Sequence, residues 1–402
     1  MRTFHSWILQ AHMIRIRDTL AGGLRRFGGH AGGTTREMSR EIDRFATGST
    51  EKDHVFGQIL VRSETFSSAN VARDILPSDP RRLHALWSGL TRTDREALYR
   101  ADPFIGNRNG IPHVDRHRYN LRNLEKMYDA AHSIPDGHRR ALALRQTGTI
   151  GFALESPPGT PPRYLTRLEP DFRVAVSIDD PDRADNVVLN AAGAGENPFG
   201  IQFASERSEQ IRKAALLVDP KAETAVTTWL GYRQSSPGRI DELIPAARRD
   251  APDLRAYHAG LRVTHEGEPS YNTALGYSSG TGNIGYAARE PLDADALVFV
   301  GGYSSGAEHV TDLKLVGVDP ADMGKHAFAT IAEHDSVKLM PELDTAPHSR
   351  KFEATLFGSD TVRGPWTSLG WNPDIHGSYF DSNSRSLHNI GLIVTGNGHL
   401  VT

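Results

Sequence analysis

From about residue 147 onward, runs that read as strands alternate with runs that read as helices, and this alternation restricts the fold more than any other feature. TGTIGFALES, RYLTRLEP and FRVAVSID read as short strands, separated by SPPGTPP and by a turn near Pro170 and Asp171. NVVLNAAGAG reads as a strand entering a glycine-rich loop, SERSEQIRKAALLVD as a helix, ETAVTTWLGY as a strand and RIDELIPAARRDAPDLRAYHAGL as a helix. SYNTALG, DALVFVGG and KHAFATIAEHD continue as strands, with TGNIGYAARE as a helix between the first two. Strands joined through helices predict a mostly parallel central sheet with helices on both faces.

The chain ahead of this alternation has a different character. SDPRRLHALWSGLTRTDREALYRADP sets Leu83, Leu86, Trp87, Leu90, Leu98 and Tyr99 at helical spacing, with Thr91 or Thr93 as the cap of the second helix and Pro103 as its stop. A loop, FIGNRNGIP, leads into a further helical run, DRHRYNLRNLEKMYDAAHSI. The stretch before it is rich in Gly, Ser and Thr over 21–50 and reads as a connector. Read with helical spacing, Trp7, Ile8, Met13, Ile14 and Leu20 would form a short amphipathic face, of a frayed or docking helix or, in the sharper reading, of a membrane or partner contact. The expected organisation is a flexible segment over 1–50, a helical region over 51–146 and the α/β domain over 147–402.

Composition narrows the class. The 402 residues are 38% hydrophobic and 24% charged, as in a soluble globular protein, and a net charge of -3 offers no field for nucleic acid. The absence of cysteine removes thiol nucleophiles, thiolate metal sites and disulfides. No apolar window is long enough to span a membrane, and the N-terminus has no signal-peptide core. Composition does not fix the compartment; the cytoplasm is favoured, with export lacking a classical signal as the alternative.

Two copies of one pentapeptide carry the chemistry: GYSSGT at 276–281 and GYSSGA at 302–307. Each is Gly-x-Ser-x-Gly, the pattern of a serine presented on a strained strand-to-helix turn. The first follows the strand SYNTALG, and Gly282, Gly285, Ala287 and Ala288 give it a helix slim enough to pack on a sheet. The second follows a better strand but precedes a polar stretch broken by Gly317 and Pro320. In α/β-hydrolases the nucleophile is followed by a helix and strand, then by a second strand ending at the acid, with the histidine last. Counting from Ser278, the second strand is HAFATIA and the acid is Asp335; counting from Ser304, one strand is missing.

Asp335 lies just past an apolar strand, and Asp319, Asp322 and Asp344 are the fallbacks; a turn or N-cap role is its structural alternative. His376, in NPDIHGSYF, is the candidate base, ahead of a helix over Ser384–Leu392, with His348 and His388 as competitors and His399 near the chain end. The oxyanion hole would use the amide of Ser279 and one from AAGAGENP, at Ala194 or its neighbours Gly193 and Gly195.

On LWSGLTRTDREALYRADPFIGNRNGIP, DDPDRADNVVLNAAGAG, WLGY at 229–232, GYSSGT and the late HGSYF, the chain resembles an actinobacterial α/β-hydrolase family long treated as a domain of unknown function, over roughly residues 80–397. The resemblance implies an α/β-hydrolase fold with a helical N-terminal region. It puts the nucleophile at Ser278, the acid at Asp335 and a His-x-x-Tyr at His376 and Tyr379, and makes Ser304 a decoy. The usual elbow is Gly-His-Ser-Tyr-Gly-Ser, so Tyr277 and Ser279 replace a His and a Tyr, and Ala192 stands where a Pro precedes the oxyanion loop. These changes imply an altered pocket shape and polarity.

The chemistry expected is hydrolysis of a small-molecule or lipid ester by a serine esterase or lipase-like enzyme, with no cofactor and no metal. The rival class is a non-catalytic binding module on the same fold. GTGNIG at 280–285 also fits a dinucleotide fingerprint, but the next strand ends VFVGG without the acid that would hold a ribose. DDPDRAD at 179–185 offers cation ligands, with turn and capping roles as the plainer reading.

Overall fold

The computed structural model describes residues 76–193, 199–231, 240–340, 344–359 and 373–402, so the reading of residues 1–50 and of the face from Trp7 to Leu20 lies outside the described residues. Helix α1 (Pro80–Gly89) starts on Asp79, whose carboxylate accepts from the Arg82 amide at 2.9 Å, with Pro80 at the first helical position. Of the two threonines proposed to cap α2 (Arg92–Ala101), Thr91 does so, in a reciprocal box with Asp94. Leu83 and Trp87 of α1, Tyr99 of α2 and Ile105 of the 3-10 turn that follows close over Tyr119 of α3 (His113–His132). Two polar tips in this small core are satisfied: Trp87 Nε1 donates to Asp115 at 2.8 Å and the Tyr99 hydroxyl to Asn123 at 2.9 Å.

TGTIGFALES does not form a strand. Residues 147–153 complete helix α4 (Gly137–Ala153), which buries Ala143, Gln146, Thr147, Ile150 and Gly151 on one face. The β-branched residues suggested a strand, but Thr147 and Thr149 return their hydroxyls to the carbonyls of Ala143 and Arg145, four residues back. Packing against α3 then overrides the local preference.

The sheet begins instead at β1 (Arg163–Leu168) and β2 (Val174–Ile178), an antiparallel pair. It continues with β3 (Asn186–Ala191), helix α5 (Ile201–Val218), β4 (Thr224–Leu230), helix α6 (Ile240–Thr264) and β5 (Tyr271–Tyr277). Helix α7 (Gly280–Ala288), β6 (Ala296–Val300), β7 (Ala327–Thr330), β8 (Thr355–Leu356) and helix α8 (Arg385–Val394) complete it. The strand order is β1-β2-β4-β3-β5-β6-β7-β8; β2 runs antiparallel to β1 and β4, and every other pairing is parallel.

Period-two alternation sends successive side chains to opposite cores. Val187, Leu189, Leu297 and Phe299 join one core with Leu254, Tyr257 and Leu261 of α6 and Ile284 of α7. Val188, Leu275, Val298 and Val300 join the other with Ile211 of α5 and Ile390 and Ile393 of α8. Both faces of the central strands are thus covered, as their continuous apolar runs require. The register pairs Ala191 with Gly276, so the loop leaving β3 arrives beside the turn leaving β5.

Candidate active site

Ser278 follows the last residue of β5 and has φ +55°, a left-handed backbone rarely adopted by a residue with a side chain. Such a conformation costs on the order of 1–3 kcal/mol and persists only where the surroundings impose it. Here the Ser278 amide donates to Val300 O at 2.9 Å, while its carbonyl accepts from the Thr281 amide at 3.1 Å and the Thr281 hydroxyl at 2.7 Å. The small residues after it are required by contact. A Cβ on Gly280 would lie 2.2 Å from Ala191 O, and one on Gly285 would lie 1.7 Å from Ser305 O. GTGNIG therefore has a packing reason: it seats α7 between the β3 and β6 loops.

His376 lies on a 3-10 segment, Pro373–Phe380. Its Nε2 is 2.9 Å from Ser278 Oγ and its Nδ1 is 2.9 Å from Asp335 Oδ2. An ionised carboxylate only accepts, so Nδ1 carries the proton and Nε2 is left to accept from the serine hydroxyl. Asp335 is fully buried, whereas the His376 side chain is 21% exposed. Burial alone would raise the Asp335 pKa. The bond and charge of His376, the Tyr379 hydroxyl at 2.6 Å and the Val337 amide at 2.9 Å instead hold it below the ordinary carboxylate value.

Both readings of Asp335 hold at once: Oδ1 caps the turn Ser336–Leu339 while Oδ2 receives His376 and Tyr379. Tyr379 accepts the Ala332 amide at 2.9 Å. Burial and the nearby Asp335 charge push its phenol well above the usual tyrosine value, so it stays a donor.

Tyr277, which stands where the resembled family's elbow usually has a histidine, packs inward. It is only 5% exposed, and burial pushes its phenol up to about 12. Its hydroxyl donates to the His376 carbonyl at 2.7 Å, and its ring lies along the His376 ring with centroids 5.0 Å apart at 28°. Phe380 meets its edge at 5.4 Å and the Arg207 guanidinium lies 4.6 Å from its centroid. Tyr277 thus grips the imidazole segment from beneath the elbow. The motif gave no signal of this, because the contact spans 99 residues of sequence.

The Ser279 amide has no acceptor among the described residues and stands at the N-terminal end of α7, where partial positive charge favours an anion. Gly193 lies against the nucleophile, since a Cβ there would sit 3.0 Å from Ser278 Cβ. Ala194 and Gly195 lie outside the described residues.

The second pentapeptide is organised around a different acid. Ser304 is buried, and its hydroxyl donates to Asp344 Oδ2 at 2.7 Å, while Asp344 also accepts the amides of Ser305 and Gly306. Asp344 is therefore the tie that holds that loop. Asp319 caps a turn at Ala321 and Asp322 pairs with Lys325, both at the surface. Among the described residues, His376 is bonded to Ser278, and neither Ser278 nor Ser304 bonds another histidine. The acids of DDPDRAD serve local structure: Asp182 binds His113 and Thr264, and Asp185 accepts the Glu223 amide. Among the described residues no group of three or more His, Asp or Glu is arranged to hold a metal, and no helix is long and apolar enough to cross a membrane.

A family model described as "Alpha/beta hydrolase" matches residues 169–345, less than half of the chain, taking in Ser278 and Asp335 and ending before His376. Among solved structures, the chain is similar to an arylesterase at 13% identity, covering 70% of this chain and 98% of that one with a TM-score of 0.34. It is also similar to a carboxyl esterase from the mycorrhizal fungus Tuber melanosporum at 12% identity, covering 58% of this chain and 84% of that one with a TM-score of 0.31. No curated protein matches the sequence. Eight strands in this order among the described residues, the helices on both faces and the family match identify the fold as that of an α/β-hydrolase.

Proposed function

We propose that the protein is a serine hydrolase that cleaves carboxylic esters through an acyl-enzyme. The observation that carries this reading is the chain of two 2.9 Å hydrogen bonds joining a strained elbow serine to a histidine and a buried aspartate. Ser278 Oγ attacks the ester carbonyl as His376 Nε2 takes the hydroxyl proton. The oxyanion is met by the Ser279 amide and by one from the loop after β3, at Ala194 or its neighbours Gly193 and Gly195. The carbon–oxygen bond to the alcohol then breaks and His376 returns the proton to the leaving oxygen. Water repeats the sequence on the acyl-enzyme, releasing the acid and restoring Ser278. Asp335 remains ionised, fixing the tautomer of His376 and balancing the imidazolium. The substrate is a small-molecule or lipid ester, and the steps use no cofactor.

Turnover of p-nitrophenyl butyrate tests the reading. Wild-type protein should hydrolyse it, and Ser304→Ala should keep activity within about threefold, since the Ser304 hydroxyl is tied to Asp344. No turnover on a panel of short- and long-chain esters would favour a non-catalytic module, and loss of activity in Ser304→Ala alone would move the nucleophile.

Tyr277→Phe removes the hydroxyl that holds the His376 carbonyl but keeps the stacked ring. A net hydrogen-bond contribution of about 0.5–1.5 kcal/mol corresponds to a fall in kcat of roughly two- to tenfold. KM should stay unchanged, because Tyr277 acts on the base and not on the ester. Steady-state kinetics would show the reverse pattern, KM rising at constant kcat, if Tyr277 shaped the pocket instead.

A further inference from the structure

At the far end of α7 from Ser278, about 13 Å along the helix at 1.5 Å per residue, lies a cleft of about 620 Å³. Its walls carry four cations, Arg248 and Arg255 from α6, Arg289 just past α7, and Lys314, against two acids, Glu290 and Asp312. That excess is notable in a chain whose net charge is -3.

The acids do not neutralise it. Glu290 pairs with Lys314 at 3.6 Å, and Asp312 is engaged by the amides of Glu308 and His309. Among the described residues, Arg248, Arg255 and Arg289 have no carboxylate within salt-bridge distance.

Two of the three guanidiniums are also anchored. Arg255 donates one nitrogen to Ala287 O at 3.2 Å, in the last turn of α7, and Arg289 donates one to Gly306 O at 2.9 Å. A guanidinium has five N–H donors, so each anchor leaves most of the fork available while restricting where it stands. Arg248 lies over the Tyr286 ring, 5.1 Å from its centroid.

We infer that this cleft binds a phosphate group, at a site separate from Ser278. Cations from α6, from the end of α7 and from the segment carrying Lys314 reach the cleft from different elements. A planar carboxylate matches one guanidinium fork, whereas a tetrahedral phosphate accepts donors from several directions and carries the charge to balance more than one arginine. The site does not depend on the ester-hydrolase reading.

Calorimetric titration of the full chain with sodium pyrophosphate at low salt tests this, beside co-sedimentation with phosphatidylcholine vesicles with and without phosphatidic acid. Binding should weaken about five- to tenfold in each of Arg248→Gln and Lys314→Gln, neither of which holds a backbone carbonyl, and should be unchanged in Ser278→Ala. Pyrophosphate binding with these losses assigns a soluble phosphate. Binding confined to phosphatidic acid vesicles, with the same losses, assigns a lipid headgroup. No binding to either probe, or equal binding by wild type and both variants, overturns the inference.

Discussion

Ser278→Ala is expected to lower kcat for ester hydrolysis by about 10⁴- to 10⁶-fold while leaving the protein folded. On the proposed mechanism Ser278 supplies the covalent bond, so its loss would leave catalysis by binding and by the oxyanion donors alone. Stability should change little. The Ser278 side chain bonds to His376, and His376 keeps Asp335 when the hydroxyl is lost. The backbone strain at φ +55° is not removed, because alanine also has a Cβ. Thermal denaturation run beside the kinetics separates the two effects, and a large fall in Tm would point to a structural role for the serine.

Asp335→Asn is expected to cost about 10⁴-fold in kcat and, unlike the serine change, to destabilise the protein by about 1–3 kcal/mol. Three donors converge on this carboxylate: His376 Nδ1, the Tyr379 hydroxyl and the Val337 amide. An amide has one oxygen. If that oxygen stays with Val337, the NH₂ confronts His376 and Tyr379, and the imidazole turns to the wrong tautomer; if it flips, the turn at Ser336 loses its cap. The same carboxylate makes stability fall in acid. Its folded pKa is held below the ordinary value, so its contribution is complete above the unfolded pKa of about 3.9 and is lost as pH drops through the lower folded value. Asp335→Asn should therefore flatten the acid end of the stability–pH curve. Chemical denaturation at several pH values below about 5 measures this directly.

Sequence order made much of this architecture legible. Strands β3 to β7 are short apolar runs bounded by glycine or charged turns, and residues buried on both sides have no other pattern available. The capping logic at Thr91 and the stop before Pro103 were equally local, which is why they survive folding unchanged. The end of α4 was not legible, because Thr147, Thr149 and Ile150 favour strands in isolation and only α3 makes the helix the better-buried choice.

The candidate site divides in the same way. Ser278 and Asp335 follow from chain order and strand ends, whereas position leaves His376 beside His348 and His388 and only the resemblance singles it out; the structure brings Ser278, His376 and Asp335 within hydrogen-bond distance. The pairing of two identical pentapeptides with two different acids did not follow, since Asp344 reaches Ser304 across 40 residues. The change from the usual elbow histidine to Tyr277 implies an altered pocket, but period-two alternation at the end of β5 directs the Tyr277 ring into the core. The cleft beside α7 left no motif, because its cations come from separate elements and meet only after folding.

On the proposed mechanism Ser278, activated through His376 and Asp335, is the nucleophile. The most direct measurement is to treat the intact protein with a fluorophosphonate and locate the adduct by peptide mass spectrometry. One phosphonyl group should be found on Ser278, absent from Ser278→Ala and retained in Ser304→Ala. An adduct on Ser304, or none on the wild-type protein, would overturn that assignment of the nucleophile.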